Sequence, residues 1–345
     1  VNWRIEMNSA NFQPADYIKH AVNYELFDYR SANSFESNMS SFLDDNNKFK
    51  FGNHIKKLRI DLGLSKEAYH SVKWLQKTTD VGIIGVEAHP FCIQSLNYAL
   101  STNSYVAGLF LYGGKIVKHV GTISEVYLKK YILGQDLPRQ DHLANTVPGN
   151  LKFTVNGKEM IVSPIPIADR EGIFAHFHVL EVVGDVDERY ILLWGAIDCK
   201  AQTTQVINQK FFCARRNVGA STLIENHFDG RCGELEVEQV IEVPSYRLSA
   251  VLDHVNWEKF PYIECLKIDI EGKDMQALQS ADKYLDRIVY VRAEAFKSRT
   301  ATTKSHVLTA FMEENSFELF DDEEGDHKYI NKRYKDLAAK EGLSY

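Results

Sequence analysis

The stretch "LRIDLGLSKEAYHS", residues 58–71, opens as a buried strand and then breaks its own pattern. Leu58, Ile60 and Leu62 alternate as one face of a strand does, yet Asp61 sits among them and Gly63 follows at once. A core strand has no use for an acid and a glycine at its end. A strand whose carboxyl end faces a ligand does, because doubly wound sheets bind outside the carboxyl ends of their strands. Asp61, Gly63 and the following Ser65 are therefore read as cofactor-side residues.

Outward from this stretch the chain alternates. Glu67 to Lys77 carries Val72 and Leu75 as a helix would, "VGIIGVEA" (81–88) reads as a strand, and a helix is predicted from Phe91 to Leu100. That is the βαβ pattern of a parallel sheet covered by helices. It resumes with "YILLWGAIDCK" (190–200), "YIECLKIDIEG" (262–272), a helix from Asp274 to Leu285 and the strand "RIVYVRAEAF" (287–296). Between the two halves, "LKFTVNGKEMIVSPIPI" (151–167) alternates around Asn156-Gly157, a strong hairpin signal. We expect an α/β, Rossmann-like class I fold, mostly a parallel sheet with helices on both faces, plus a helical N-terminal segment and a β-rich insertion. The expected divisions are a helical segment at 1–52, the core at 53–101 and 190–330, an inserted acceptor subdomain at 102–189 and a tail at 331–345. Pro14 and the spacing of Phe35, Met39, Phe42 and Leu43 predict helix within 14–43, and "DDEEGD" (321–326) reads as a solvated loop.

Composition limits the partners. The chain has 345 residues, 44% of them hydrophobic, and a formal charge of -7 from 40 basic and 47 acidic side chains. Nothing here attracts a phosphate backbone, so no nucleic acid is expected. Apolar runs such as Tyr190 to Ile197 fall short of the roughly 20 residues a membrane span needs. The start "VNWRIEMNSANF" lacks a signal-peptide core. Five scattered cysteines without a C-x-x-C pair point to a reducing compartment. A cytoplasmic location is expected. The initial Val1 in place of Met is read as a trimmed start or as the edge of a domain cut from a longer chain, whose other domains would then be among its partners.

Glu87 ends the second strand 26 residues after Asp61. An acid about 20 residues past the glycine turn accepts the hydroxyls of a ribose diol. The loop after Gly63 reads Leu64, Ser65, Lys66, Glu67, Ala68 and lacks the glycines that a pyrophosphate demands. The pair therefore favours S-adenosylmethionine over NAD or FAD. Ala88 and His89 beside Glu87, and Ala196 and Asp198 at the end of the third strand, join the expected cofactor set, Asp198 as a partner for the adenine amino group. Trp194 is read as core or as an adenine-pocket wall.

"VPSYRLSAVLD" (243–253), "LKIDIEGKDMQALQSADKYL" (266–285) and "IVYVRAEAF" (288–296), with "RIDLGLS", "VGIIGVEAHP", "LLWGAIDCK" and "VGASTL" in the same order upstream, resemble the FkbM-type family of S-adenosylmethionine-dependent methyltransferases. Lys267, Asp269, Glu271 and Gly272 match its K-x-D-x-E-G strand end. The resemblance covers roughly 55–100 and 190–320, and it implies O-methylation with a carbohydrate hydroxyl as the acceptor. The insertion and the glycine-poor loop depart from the family pattern.

An aliphatic hydroxyl is a poor nucleophile until its proton is removed. Asp269, Glu271 and Glu294 end neighbouring strands and offer either a general base or, through Asp269 and Glu294, ligands for Mg²⁺ or Mn²⁺. Lys267 and His227 complete the expected catalytic set. His176-x-His178 could bind metal but has no further ligand near it in sequence. A methyltransferase for a non-sugar small molecule, a nicotinamide oxidoreductase and a non-catalytic binding module remain as alternatives.

Overall fold

The computed structural model describes residues 5–6, 39–65, 68–101, 111–112, 114–124, 151–164, 176–201, 207–214, 220–224, 237–295, 304–323 and 325–343. The chain forms two compact units, Val1–Leu26 with Asn97–Val186, and Phe27–Leu96 with Asp187–Tyr345.

The first unit carries a six-stranded antiparallel sheet, in the order Ile5–Glu6, Leu151–Val155, Lys158–Pro164, His176–Asp185, Lys115–Ser124, Leu111–Tyr112. Its central turn is the predicted one. Asn156 and Gly157 both take positive φ, 49° and 79°, as a two-residue primed turn requires. Val117, Ile161 and Leu180 bury its core.

The second unit holds strands β1 (Lys57–Leu62), β2 (Val81–Glu87), β3 (Tyr190–Trp194), β4 (Ala196–Ile197), β5 (Ile207–Ala214), β6 (Val237–Tyr246), β7 (Ile263–Ile268), β8 (Ile288–Ala295), β9 (Phe317–Glu323) and β10 (Gly325–Asn331). Its helices are α1 (Tyr69–Lys77), α2 (Pro90–Ser101, whose residues from Asn97 on count with the first unit), α3 (Leu248–Leu252), α4 (Asp274–Gln279), α5 (Ser305–Glu314) and α6 (Lys335–Glu341). The seven-stranded sheet runs β9-β10-β8-β7-β1-β2-β3. The five strands from β8 to β3 are mutually parallel, whereas β10 is antiparallel to β8 and to β9. The sheet is therefore mixed, not uniformly of the parallel kind.

One face of this sheet is apolar. Leu58, Ile60, Leu62, Ile84, Leu266, Ile268, Val291 and Ala293 bury against side chains of α3, α4 and α5. The other face carries charge. Asp61, Lys267, Arg292 and Lys328 stand in register across four strands, and α1 lies over them, with Ser71 bonded to Asp61 and Trp74 under the Arg59 guanidinium.

Several expectations need correction. "YILLWGAIDCK" is not one strand: Gly195, at φ +150°, breaks it, and β4 leaves the main sheet to pair with β6 in a separate sheet ordered β4-β6-β5. "DDEEGD" is not a loop but the edge hairpin β9–β10, because Lys328 and Arg292 pair with Asp321 and Asp326 and neutralise the acids. The helix from Asp274 stops at Gln279, and a 3-10 turn takes over from Asp282 to Arg287. Of the residues expected to form the N-terminal helix, 14–38 lie outside the described residues, and Met39–Phe42 is a 3-10 turn. Cys92, Cys199, Cys213 and Cys265 are free thiols.

The break at Gly195 is sterically enforced. A Cβ there would lie 2.4 Å from the Tyr246 ring and 2.7 Å from the Pro244 carbonyl. Gly342, at φ +58°, meets nothing within 4 Å. Gly195→Ala is expected to cost about 2–4 kcal/mol from crowding and backbone strain together, against about 1 kcal/mol for Gly342→Ala. Urea titrations of the two variants check this, and equal costs would show that the break does not depend on the glycine.

Candidate active site

The site is built where β1, β2 and β7 stop side by side. Their ladder continues one step past the strands: the Gly63 N–H donates to the Val86 carbonyl at 3.0 Å, and the Asp269 N–H to the Leu62 carbonyl at 3.0 Å. Gly63 has φ +77°, and a Cβ there would stand 1.8 Å from the Asp269 carbonyl oxygen. Only glycine lets the β1 and β7 loops touch. Beside this contact opens a cavity of about 320 Å³, lined by Gly63, Ser65, Glu87, Ala88, Ala196, Asp269 and Glu271 among others. That volume is at the small end of ligand sites.

Lys267 ties the loops together from behind. Its ammonium donates to the Gly63 carbonyl at 2.6 Å and lies 3.4 Å from both Asp61 and Asp269. Burial alone would favour the neutral amine, but the two carboxylates outweigh it and hold the pKa above the ordinary lysine value. Lys267 is thus a fixed cation that ties the β1 and β7 loops together. Asp61 in turn accepts from the Ser71 N–H at 3.0 Å and hydroxyl at 2.7 Å, so it caps the first turn of α1 from outside the helix. The sequence reading puts Asp61 on the cofactor; the structure places it on the α1 face of β1, where Ser71 and Lys267 hold its carboxylate.

Glu87 faces the cavity. One of its oxygens accepts from the His89 N–H at 2.7 Å and the other from the Ser65 N–H at 2.8 Å. Burial raises its pKa, while these bonds and the Lys267 charge oppose the rise. Each carboxylate oxygen has two lone pairs, so acceptor capacity remains on the cavity side. His89 is buried behind it, its Nδ1 accepting from the Phe91 N–H at 3.2 Å, and burial pushes its pKa down to about 3. It stays neutral. Asp198 is also fully buried and pairs at 3.7 Å with Lys273, which does line the cavity. The Trp194 indole donates to the Ala88 carbonyl at 3.1 Å.

On the far side, Asp269, Glu271 and Glu294 bring one carboxylate oxygen each within 4.8 Å of one another. Glu271 has φ +50°, a costly conformation for a residue with a Cβ. The Thr222 hydroxyl donates to its carbonyl at 2.7 Å and pins the strained turn. Asp274 is fully buried beneath the cluster; burial, with Asp269 and Glu271 adding to it, raises its pKa to about 7.

Thus, of the residues the sequence reading names, Gly63, Ser65, Glu87, Ala88, Ala196, Asp269 and Glu271 line one cavity, and Glu294 lies beside the last two. Asp61, His89, Asp198 and Lys267 stand behind its wall. His227 lies outside the described residues. The sequence reading missed Phe211, Ser221, Leu223 and Lys273, which also line it. "VGASTL" was the available signal for Ser221 and Leu223, since the loop it names returns to β5 through the Phe212–Thr222 bridge.

Residues 196–319 match the family model described as the methyltransferase FkbM domain, which supports a methyltransferase. The matched stretch contains Lys267, Asp269, Glu271, Gly272 and Glu294; Gly63 and Glu87 precede it. No curated protein and no solved structure matches the chain.

The raised pKa of Asp274 has a sign that can be measured. The folded state keeps the proton up to about pH 7, whereas the unfolded chain releases it near 3.8. Stability from this group is therefore full below the unfolded value, declines as pH rises, and levels off above about 7. The total decline is at most on the order of 4 kcal/mol. In Asp274→Asn this decline should vanish while the acceptor for the Glu294 N–H is retained. Denaturation midpoints from pH 4.5 to 8.5 that run parallel in the two proteins would show that Asp274 is an ordinary carboxylate.

Proposed function

We propose that the chain is an S-adenosylmethionine-dependent O-methyltransferase acting on a hydroxyl of a carbohydrate. The observation that carries the reading is the cavity between the Gly63 contact and the Glu87 carboxylate, at the carboxyl ends of parallel strands, in a chain with a methyltransferase family match. The residues fit the cofactor: Glu87 keeps lone pairs for a ribose diol, and Ser65, Ala88 and Ala196 give close, uncharged walls. When bound, the cofactor supplies a methyl group made electrophilic by its sulfonium.

This chain's own residues then have two tasks. The first is alignment, which Gly63, Glu87 and the fixed Lys267 serve by holding three strand ends in one geometry. The second is removal of the acceptor proton. Asp269 is half exposed at the cavity edge, beside the Lys267 ammonium, and it is the carboxylate we assign to accept that proton as the new carbon–oxygen bond forms. The rim acids Glu271 and Glu294 offer acceptors to the remaining hydroxyls of a polyol, and this supports a sugar over an apolar acceptor. Among the described residues no helix is long and apolar enough to cross a membrane. The free thiols support a reducing compartment such as the cytoplasm.

Glu87→Gln should raise the Kd for S-adenosylmethionine about 10- to 100-fold by calorimetry, corresponding to about 1.5–3 kcal/mol for bonds to a charged group. A folded variant with unchanged Kd would remove Glu87 from the site. Asp269→Asn should retain cofactor binding and lose about a hundredfold or more in turnover of labelled methyl onto a responsive glycan. Near wild-type turnover would exclude Asp269 as the base.

A further inference from the structure

The acidic rim has a buried companion that proton removal does not use. Asp274 is 0% exposed, and its Oδ2 has no hydrogen-bond partner among the described residues. Its Oδ1 is fixed, accepting from the Glu294 N–H at 3.3 Å. The carboxyl is thereby anchored to the backbone of one rim acid. Asp269, Glu271 and Glu294 converge within 4.8 Å. Like charges at that distance repel strongly, and the Lys267 ammonium beside Asp269 is already shared with Asp61 and the Gly63 carbonyl.

We infer that Asp269, Glu271 and Glu294 form a site for a divalent, oxygen-seeking cation, backed by Asp274. The ligands are all carboxylate oxygens from the ends of two adjacent strands, the chemistry that Mg²⁺ and Mn²⁺ select over softer nitrogen and sulfur sets. Three protein ligands leave half of an octahedral shell for water or for an acceptor hydroxyl; with the cation bound, Asp269 would serve as its ligand, and a hydroxyl in that shell would release its proton more readily to solvent, in place of direct transfer to Asp269. This use of the cation rests on the methyl-transfer reading above; the existence of the site does not.

Titration of the protein with Mn²⁺, followed by electron paramagnetic resonance without cofactor or acceptor, tests the site. We expect one bound Mn²⁺ per chain, displaced by Mg²⁺, with affinity lower by about tenfold or more in Asp269→Asn and in Glu294→Gln. Bound cation should also raise the melting temperature of the wild-type protein, a readout that needs no variant. Absence of Mn²⁺ binding at millimolar concentration, or variants that bind as tightly as wild type, would overturn the inference. Calorimetry with S-adenosylmethionine separates the two readings. Cofactor binding without Mn²⁺ binding removes the cation site alone, and Mn²⁺ binding without cofactor binding removes the methyl-transfer reading alone.

Discussion

Everything in the site leans on one ammonium group. Lys267 crosses from β7 to β1, where it meets the Asp61 carboxylate and the Gly63 carbonyl, and it reaches up its own strand to Asp269. Removing one partner of a buried pair typically costs about 3–5 kcal/mol, because the remaining charge is left in a poor solvent. More than stability follows from this contact. Asp61 can cap α1 only while Lys267 balances its charge, Gly63 can touch Asp269 only while both loops are drawn to the same cation, and the Asp269 carboxylate is held at the cavity edge by that cation too.

The charge extends beyond that pair. On the α1 face of the sheet, Asp61, Lys267, Arg292 and Lys328 occupy consecutive strands in register. The two outer cations are matched by Asp326 and Asp321 from the edge hairpin. His70 on α1 lies beside Arg292, and burial, with Lys267 and Arg292 adding to it, lowers its pKa to about 4. A sheet with one face apolar and the other built of compensated charge can slide less freely under its helices, since any shift unpairs ions. Such a foundation suits a site whose reacting groups come from several strand ends.

How much of the fold and site is legible in the sequence follows from what each residue contacts. Gly63 and Glu87 are readable as positions because each ends a strand pattern: Glu87 has the His89 N–H of its own turn to orient it, whereas the close approach that forces Gly63 comes from the distant β7 loop and is not written in its neighbours. The partners that hold Asp61, Ser71 and Lys267, were not legible, because they are set by helix docking and strand order, and neither is visible in spacing. Gly195 failed in the same way, since "YILLWGAI" has the hydrophobicity of one strand and only the Tyr246 ring accounts for the break. "DDEEGD" looks solvated in isolation. Its pairing cations, Lys328 and Arg292, reach it only once β10 lies beside β8. The sheet of β4, β5 and β6 escaped for a related reason, as its longest pairing is antiparallel inside a region whose neighbouring strands announce parallel order.

The carboxylates illustrate how one residue type is given different tasks by its surroundings. Asp61 is buried and paired, so it is structural. Glu87 is buried but opens on a cavity, and its fixed hydrogen bonds to Ser65 and His89 leave it oriented toward whatever enters. Asp269 is half exposed and sits against a cation, which suits a group that must be ionised before it can accept a proton. Asp274 is buried without a cation of its own, and the proton it keeps to about pH 7 lowers the repulsion beneath the rim. The order of burial from Asp61 outward to Asp269 therefore runs from the carboxylate that holds the fold to the one that stands at the cavity edge.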